Sequence, residues 1–315
     1  MKILVIQQRY GIGDMVIFLP YLHALSKKLG SPITLLAKKS SNAEALFAYD
    51  EHISEIIELD KSKDGLRGFF KLAKELKSKD FDKVFIFNGS LRYFLLSKFA
   101  GIKSIYQYPL FISKDIIFQT AKIFTETFLE HPVSTQPKLK LDAEVSKLSE
   151  RRNLMSKDFQ HIILGVSASG PTKRWPVENY IKLAENLLKI YKCKFYLALG
   201  KNDNDIEQKI MNSKIKDACF SFANIGIKET LPIIKNADLY VGNDTGFLHI
   251  SSALNINCIG IYVDSPAFSY SAYSNNIEAI VPINETILTT THNTRGAKNI
   301  SFDEVLEKVK NKLNL

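Results

Sequence analysis

The sequence predicts an α/β protein made of two doubly wound domains, each a parallel sheet covered by helices. Short apolar or β-branched runs alternate with longer amphipathic stretches along the chain, which is the pattern of strand–helix–strand units. The alternation breaks once, at His131–Leu141, where Pro132 and Pro137 fall in a stretch with little periodicity. The length of 315 residues exceeds the usual single domain of roughly 100–150 residues. One domain is therefore expected over residues 1–140 and a second over 141–315.

In the first half, strands are expected at Lys2–Ile6, Ile33–Ala37, Ile53–Leu59, Lys83–Phe87 and Lys103–Tyr106. Helices are expected between them at Met15–Leu29, Ser41–Tyr49, Gly65–Lys77 and Leu91–Ala100, with Ile116–Leu129 closing the half. Pro20 falls inside the first helix, so a kink or a late start is expected there. The second half opens with strand His161–Val166 and continues with Lys194–Leu199, Ala218–Ser221, Asp238–Val241, Asn257–Tyr262 and Glu278–Val281. Its helices are expected at Val177–Tyr191, Asp203–Met211, Lys228–Asn236 and Phe247–Leu254. A tail helix at Phe302–Leu313 has the option of packing back on the first domain.

Composition narrows the class. With 45% apolar and 24% charged residues, each half can bury a core. The three cysteines, Cys193, Cys219 and Cys258, are widely spaced, which argues against a disulfide framework or a thiolate metal site and for a reducing compartment. The opening run MKILVI is too short for a signal-peptide core, and no stretch reaches the roughly 18 apolar residues that span a bilayer. A cytoplasmic protein is expected. A net charge of +9, from 42 basic and 33 acidic residues, suits an anionic partner such as a nucleotide or a phosphorylated glycolipid, though a solvated basic surface explains it equally. Basic residues are dispersed, with no aromatic-interleaved ribbon or zinc-finger spacing, so nucleic acid is not expected.

Three strand-to-helix junctions carry residues with chemical potential, at the sheet edge where ligands of doubly wound sheets bind. The first is Arg9-Tyr10-Gly11-Ile12-Gly13-Asp14. Its glycines permit a tight turn and close ligand approach. Asp14 would open the next helix either as a functional carboxylate or as a cap. The second is Ser167-Ala168-Ser169-Gly170-Pro171-Thr172-Lys173-Arg174-Trp175-Pro176. Small hydroxyl residues suit backbone cradling of a phosphate, and Lys173 and Arg174 suit charge neutralisation. The alternative is a plain loop anchored by a buried Trp175. The third is Gly242-Asn243-Asp244-Thr245-Gly246-Phe247-Leu248-His249. Here a capped helix start offers free N–H groups to an anion. His249 lies one turn beyond Thr245, as a ligand contact or as an interior histidine.

These residues resemble the lipopolysaccharide heptosyltransferases of glycosyltransferase family 9. Gly11-Ile12-Gly13-Asp14 with Leu19-Pro20 is similar to the family's N-terminal motif, and Asn88-Gly89-Ser90-Leu91-Arg92 to its mid-domain stretch. Lys173-Arg174-Trp175-Pro176 and Asn243-Asp244-Thr245-Gly246 with His249 are similar to its two nucleotide-sugar motifs. The resemblance implies a GT-B fold, with two Rossmann-like domains facing a central cleft. It implies inverting transfer of a heptose from an ADP-heptose donor to the inner core of lipopolysaccharide or lipooligosaccharide. Asp14 would be the catalytic base. Ser169, Thr172, Lys173, Asp244, Thr245, Gly246 and His249 would hold the donor, and Gly13, Arg92, Lys63 and Arg67 the acceptor. No metal or other cofactor is implied. The acceptor would be an anionic glycolipid, met by peripheral, salt-sensitive contact with the inner membrane surface and without insertion.

Two departures stand out. Tyr262-Val263-Asp264-Ser265-Pro266 replaces the family's Gly-Pro-Thr, and Arg9-Tyr10 replaces its Ser-Ser. Competing readings are a related transferase acting on another glycan and a non-catalytic nucleotide-sugar binder. A nicotinamide-dependent oxidoreductase is disfavoured, because the Gly-x-Gly-x-x-Gly loop is missing.

Overall fold

The computed structural model describes residues 1–109, 116–142, 156 and 158–314. The chain divides into two compact units, Met1–Lys140 and Leu141–Leu315. Residues 132–142 belong to neither a helix nor a strand.

The first unit is built on five strands: β1 (Ile3–Gln7), β2 (Ile33–Lys38), β3 (Ile53–Leu59), β4 (Lys83–Ile86) and β5 (Ser104–Gln107). Their order is β3-β2-β1-β4-β5, and every pairing is parallel. All five residues of β1 are buried, as expected of a strand covered on both faces. Its helices are α1 (Ile12–Leu29), α2 (Ala43–Leu46), α3 (Gly65–Lys79), α4 (Leu91–Phe99) and α5 (Ile117–Leu129). The strand order reverses between β1 and β4, which opens a crevice at their carboxyl ends.

Two local expectations change. α1 begins at Ile12 and runs through Pro20 without interruption. An interior proline costs about 3 kcal/mol, but Leu19, Tyr21, Leu22 and Leu25 are fully buried on the same helix, each contributing roughly 1.5–3 kcal/mol. Burial wins. The helix expected at Ser41–Tyr49 shrinks to α2, because Asn42 takes a left-handed conformation (φ 51°) and separates it from a 3-10 turn at Lys39–Ser41.

The second unit has six strands: β6 (Gln160–Gly165), β7 (Cys193–Leu197), β8 (Cys219–Ser221), β9 (Leu239–Asn243), β10 (Asn257–Ile261) and β11 (Ile277–Ile280). They pair in parallel in the order β11-β10-β9-β6-β7-β8. The helices are α6 (Val177–Leu188), α7 (Asn204–Met211), α8 (Ile227–Lys235), α9 (Gly246–Ala253), α10 (Ala267–Ser271) and α11 (Phe302–Lys312). The switch point here lies between β6 and β9, whose carboxyl ends lead into the second and third junctions. The tail helix α11 places Val305 and Val309 in the core of this unit, and Phe302 stacks on Trp175 with centroids 6.2 Å apart. Its apolar face is thereby spent within its own unit.

A row of glycines shapes that switch point. Gly165, Gly242 and Gly260 are register partners across β6, β9 and β10. A Cβ at Gly165 would collide with the Tyr240 hydroxyl, and one at Gly242 with the backbone of Gly165. The space they vacate admits that hydroxyl, which donates to Asn243 O at 2.8 Å. Tyr180 Oη in turn donates to Gly165 O at 3.2 Å.

Candidate functional site

In the first unit, β1 delivers Gln7, Arg9 and Tyr10 to the switch point. The α1 cap is Gly11, with no side-chain cap bond, so Asp14 is not the cap. It sits in the first turn, where a carboxylate is favoured by the helix dipole, and its Oδ1 lies 3.4 Å from Arg9 Nη1. Gly13 is buried in the same turn. The buried Gln7 side chain accepts from Arg9 N at 2.5 Å, fixing the path of the turn. A cavity of about 350 Å³ opens here, lined among others by Arg9, Tyr10, Lys38, Asn88 and Tyr108. Lys38 Nζ stands 5.1 Å from the Tyr10 ring centroid.

The basic residues expected to hold the acceptor, Arg92, Lys63 and Arg67, lie outside the lining of this cavity. Arg92 donates to Lys63 O at 2.8 Å and Gly65 O at 3.3 Å, bracing the entry to α3. Lys63 Nζ pairs with Glu75 at 3.3 Å, and Arg67 is exposed on α3. Arg9 and Lys38 supply the cavity's cations instead. Arg9 belonged to a junction the sequence singled out; Lys38 ends β2, and only the pairing of β2 with β1 reveals it.

In the second unit, the Asn243 side chain organises the site. Its Oδ1 accepts from Trp175 N at 2.8 Å, and its Nδ2 donates to Val166 O at 3.1 Å and Ser167 O at 3.3 Å. One buried amide thus ties the 166–175 loop to the end of β9. Ser169 and Thr172 are exposed on that loop. Trp175 is buried in the core, the packing reading. Arg174 is held by Asp203 at 2.9 Å, and Asp203 also accepts from Ser167 Oγ at 2.6 Å and Gly200 N at 2.9 Å. Arg174 Nη2 thus helps to shape the loop. Lys173 is half-buried and forms no ion pair among the described residues.

Thr245 caps α9, accepting from Phe247 N at 3.3 Å, and the Gly246 amide lies in the first turn, out of reach of any intrahelical acceptor. His249 is the interior histidine. Its Nδ1 lies 2.6 Å from Tyr273 Oη and its Nε2 3.1 Å from Asp244 Oδ1. An ionised carboxylate only accepts, so Nε2–H donates to Asp244, and Nδ1 shares the second contact with the Tyr273 hydroxyl. The Nε2–H contact holds the Asp244 carboxylate in place.

The Asp264 loop joins the same assembly. Burial pushes its carboxyl upward, but bonds from the Thr172 hydroxyl and the N–H groups of Arg295 and Asn293 outweigh this and hold it below its ordinary value. The Arg295 N–H donates at 2.9 Å. Asn293 and Arg295 have φ of 79° and 49°, a conformation that costs non-glycine residues energy and that this carboxylate helps to hold. Asn243, Asp203 and Asp264 were not legible as site residues because they bond residues 68, 29 and 31 positions away.

Cysteine nucleophiles are disfavoured: burial pushes the Cys193 thiol up to about 11 and leaves Cys258 fully buried. Among the described residues no cluster of His, Cys, Asp or Glu suits a metal ion, and no helix is long and apolar enough to cross a membrane.

The family described as glycosyltransferase family 9 (heptosyltransferase) matches residues 69–300, which include both junctions of the second unit. The chain belongs to glycosyltransferase family 9. Among the relatives of this family 9 chain, lipopolysaccharide heptosyltransferase 1 of Campylobacter coli is 27% identical over 202 residues, 62% of this chain and 53% of that one. The chain thus spans about half the length of that relative. An Escherichia coli structure, ADP-heptose lps heptosyltransferase II, superposes with a TM-score of 0.78 at 20% identity, covering 100% of this chain and 99% of that one. A family 9 glycosyl transferase of Veillonella parvula reaches 0.83 at 18% identity, covering 99% and 97%. At such identities the likeness shows the fold, the α/β GT-B type.

Proposed function

We propose that this family 9 protein is an inverting glycosyltransferase that moves a heptose from ADP-heptose to the inner core of lipopolysaccharide or lipooligosaccharide. The donor and acceptor classes follow the names of its relatives. The observation that carries the reading is the Asn243 clasp. It ties the loop that carries Lys173 to the end of β9, from which α9 starts; Lys173 forms no ion pair among the described residues, and an ADP diphosphate needs both charge and N–H donors. Asp244, oriented by His249, then faces a sugar hydroxyl.

In the reaction, Asp14 takes the proton of the acceptor hydroxyl as its oxygen bonds to the anomeric carbon. The bond from that carbon to the diphosphate oxygen breaks on the opposite side, so configuration inverts and ADP leaves. Lys173 and the α9 amino end stabilise the charge on the departing diphosphate. No step requires a metal. Arg9 and Lys38 give the first-unit cavity two cations, which suits an acceptor bearing phosphate or carboxylate at the cytoplasmic face of the inner membrane.

The test is an assay of ADP release by purified protein with ADP-heptose and with other nucleotide sugars. Lipid acceptors truncated before or after the first heptose are supplied in turn. Release with ADP-heptose and one of these acceptors is expected. Release with a different nucleotide sugar alone would overturn the donor assignment, and turnover only on non-lipopolysaccharide glycans would overturn the acceptor.

A further inference from the structure

We infer that the outward face of α3 and α4 docks on an anionic lipid bilayer. Leu66 and Phe70 stand one turn apart on α3, 79% and 57% exposed. Leu91, Leu95 and Phe99 stand at successive turns of α4, 60%, 41% and 58% exposed. The two stripes form one patch, since the Phe70 and Phe99 rings lie 6.0 Å apart and each is edge-on to Phe69, which is buried. Single exposed apolar side chains need no explanation, but contiguous ones mark an interaction surface. Packing does not require them there, because each helix already has a buried face, Leu72 and Leu76 on α3 and Tyr93 and Leu96 on α4.

Charge selects the partner. Arg67, Lys71, Lys74 and Lys77 are exposed on α3 and share the solvent arc of Leu66 and Phe70 at helical spacing. The one acid of that helix, Glu75, is paired with Lys63, and α4 carries Arg92 and Lys98 with no acid. Apolar tips flanked by long cationic side chains match the acyl boundary and the phosphate layer of a bilayer. A second copy of this chain would set the same cations against each other.

Leu66 and Leu91 lie in the first turns of α3 and α4, at the carboxyl edge of the first sheet where the Arg9–Lys38 cavity opens. Docking here would bring that cavity to the membrane surface. The consequence for a lipid-anchored acceptor rests on the function proposed above; the docking itself does not. To the expected salt-sensitive contact it adds an apolar part, which persists at high ionic strength.

The experiment is co-sedimentation of the full chain with vesicles of phosphatidylcholine, alone or with phosphatidylglycerol, at low and high salt and without donor or acceptor. Binding to the phosphatidylglycerol vesicles is expected. The Leu66→Ser/Leu91→Ser variant should bind about tenfold more weakly at both salt concentrations. The Lys71→Glu/Lys74→Glu variant should lose about tenfold or more at low salt and little at high salt. All four positions are exposed, and unchanged melting curves would confirm intact variants. No binding by the unaltered chain, or equal binding by the serine variant, overturns the proposal. So does a dimer in sedimentation velocity that the serine variant dissolves. Because sugar transfer is not read, this result and the assay for ADP release succeed or fail separately.

Discussion

Asp14 and Arg9 face each other at 3.4 Å across the turn that opens α1, with the carboxylate three residues past the Gly11 cap. Asp14→Asn is therefore expected to cut turnover by about 10²–10⁴-fold, the usual worth of a general base, while ADP affinity stays near that of the unaltered protein. Near-normal turnover in a steady-state assay would remove Asp14 from the role. Lys173→Ala should instead weaken ADP binding as well as turnover; unchanged affinity by titration calorimetry would reject its place at the diphosphate. Asp264 has a pH signature. Its folded-state pKa lies below the ordinary 3.8, so the folded chain holds that proton more weakly than the unfolded chain. Its contribution to stability is present above 3.8 and fades as pH falls through the folded value. Asp264→Asn should lower the melting temperature at pH 7, with the difference from the unaltered chain narrowing below pH 4. A constant difference across that range would show that the carboxylate's charge is irrelevant. Of these three residues, Asp14 and Lys173 were legible because each stands in a junction right after a strand. Asp264 was visible only as a departure, since a single sequence does not show that Thr172 and Arg295 converge on it.

At the scale of elements, most strands were legible because parallel strands buried on both faces read as unbroken apolar runs, as in Ile3–Ile6 and Leu239–Val241. What escaped was set by neighbours. β9 continues past Val241 to Asn243 because Gly242 fits against Gly165 on β6, a match of glycines that no local pattern announces. α10 follows Pro266 with only five residues, too short for a helical period to register. The contact at that glycine row sets the expected cost of Gly242→Ala at roughly 1–3 kcal/mol, the range for overpacking. Asn243→Ala should cost at least about 2 kcal/mol, because its loss leaves Trp175 N–H and the Val166 carbonyl buried without their partner, each worth about 1–3 kcal/mol. Urea unfolding measures both. An Asn243→Ala midpoint equal to that of the unaltered chain would mean that the 166–175 loop is held by something other than this amide.

The two units each carry their own sheet, helices and switch point, and the sequence showed this division through the proline-bearing stretch at 131–141 and the restart of strand–helix alternation. Its chemistry is divided as well: Asp14, Arg9 and Lys38 belong to the first unit, and Lys173, Asp244, Thr245 and Gly246 to the second. A ligand held by one unit stabilises that unit by mass action, by about 2.7 kcal/mol at a hundredfold excess over its dissociation constant. On the function proposed above, ADP alone, with no heptose and no acceptor, offers only groups assigned to the second unit. Hydrogen exchange with ADP is therefore expected to slow at 166–175, at 243–249 and at the strained 293–296 turn, where Asp264 ties Arg295 to the Thr172 loop. Exchange at 7–14 and around Lys38 should stay unchanged until an acceptor is added. Protection that appears first at 7–14, with the 166–175 loop exchanging freely, would place the nucleotide in the first unit. The assignment of donor and acceptor would then have to be reversed.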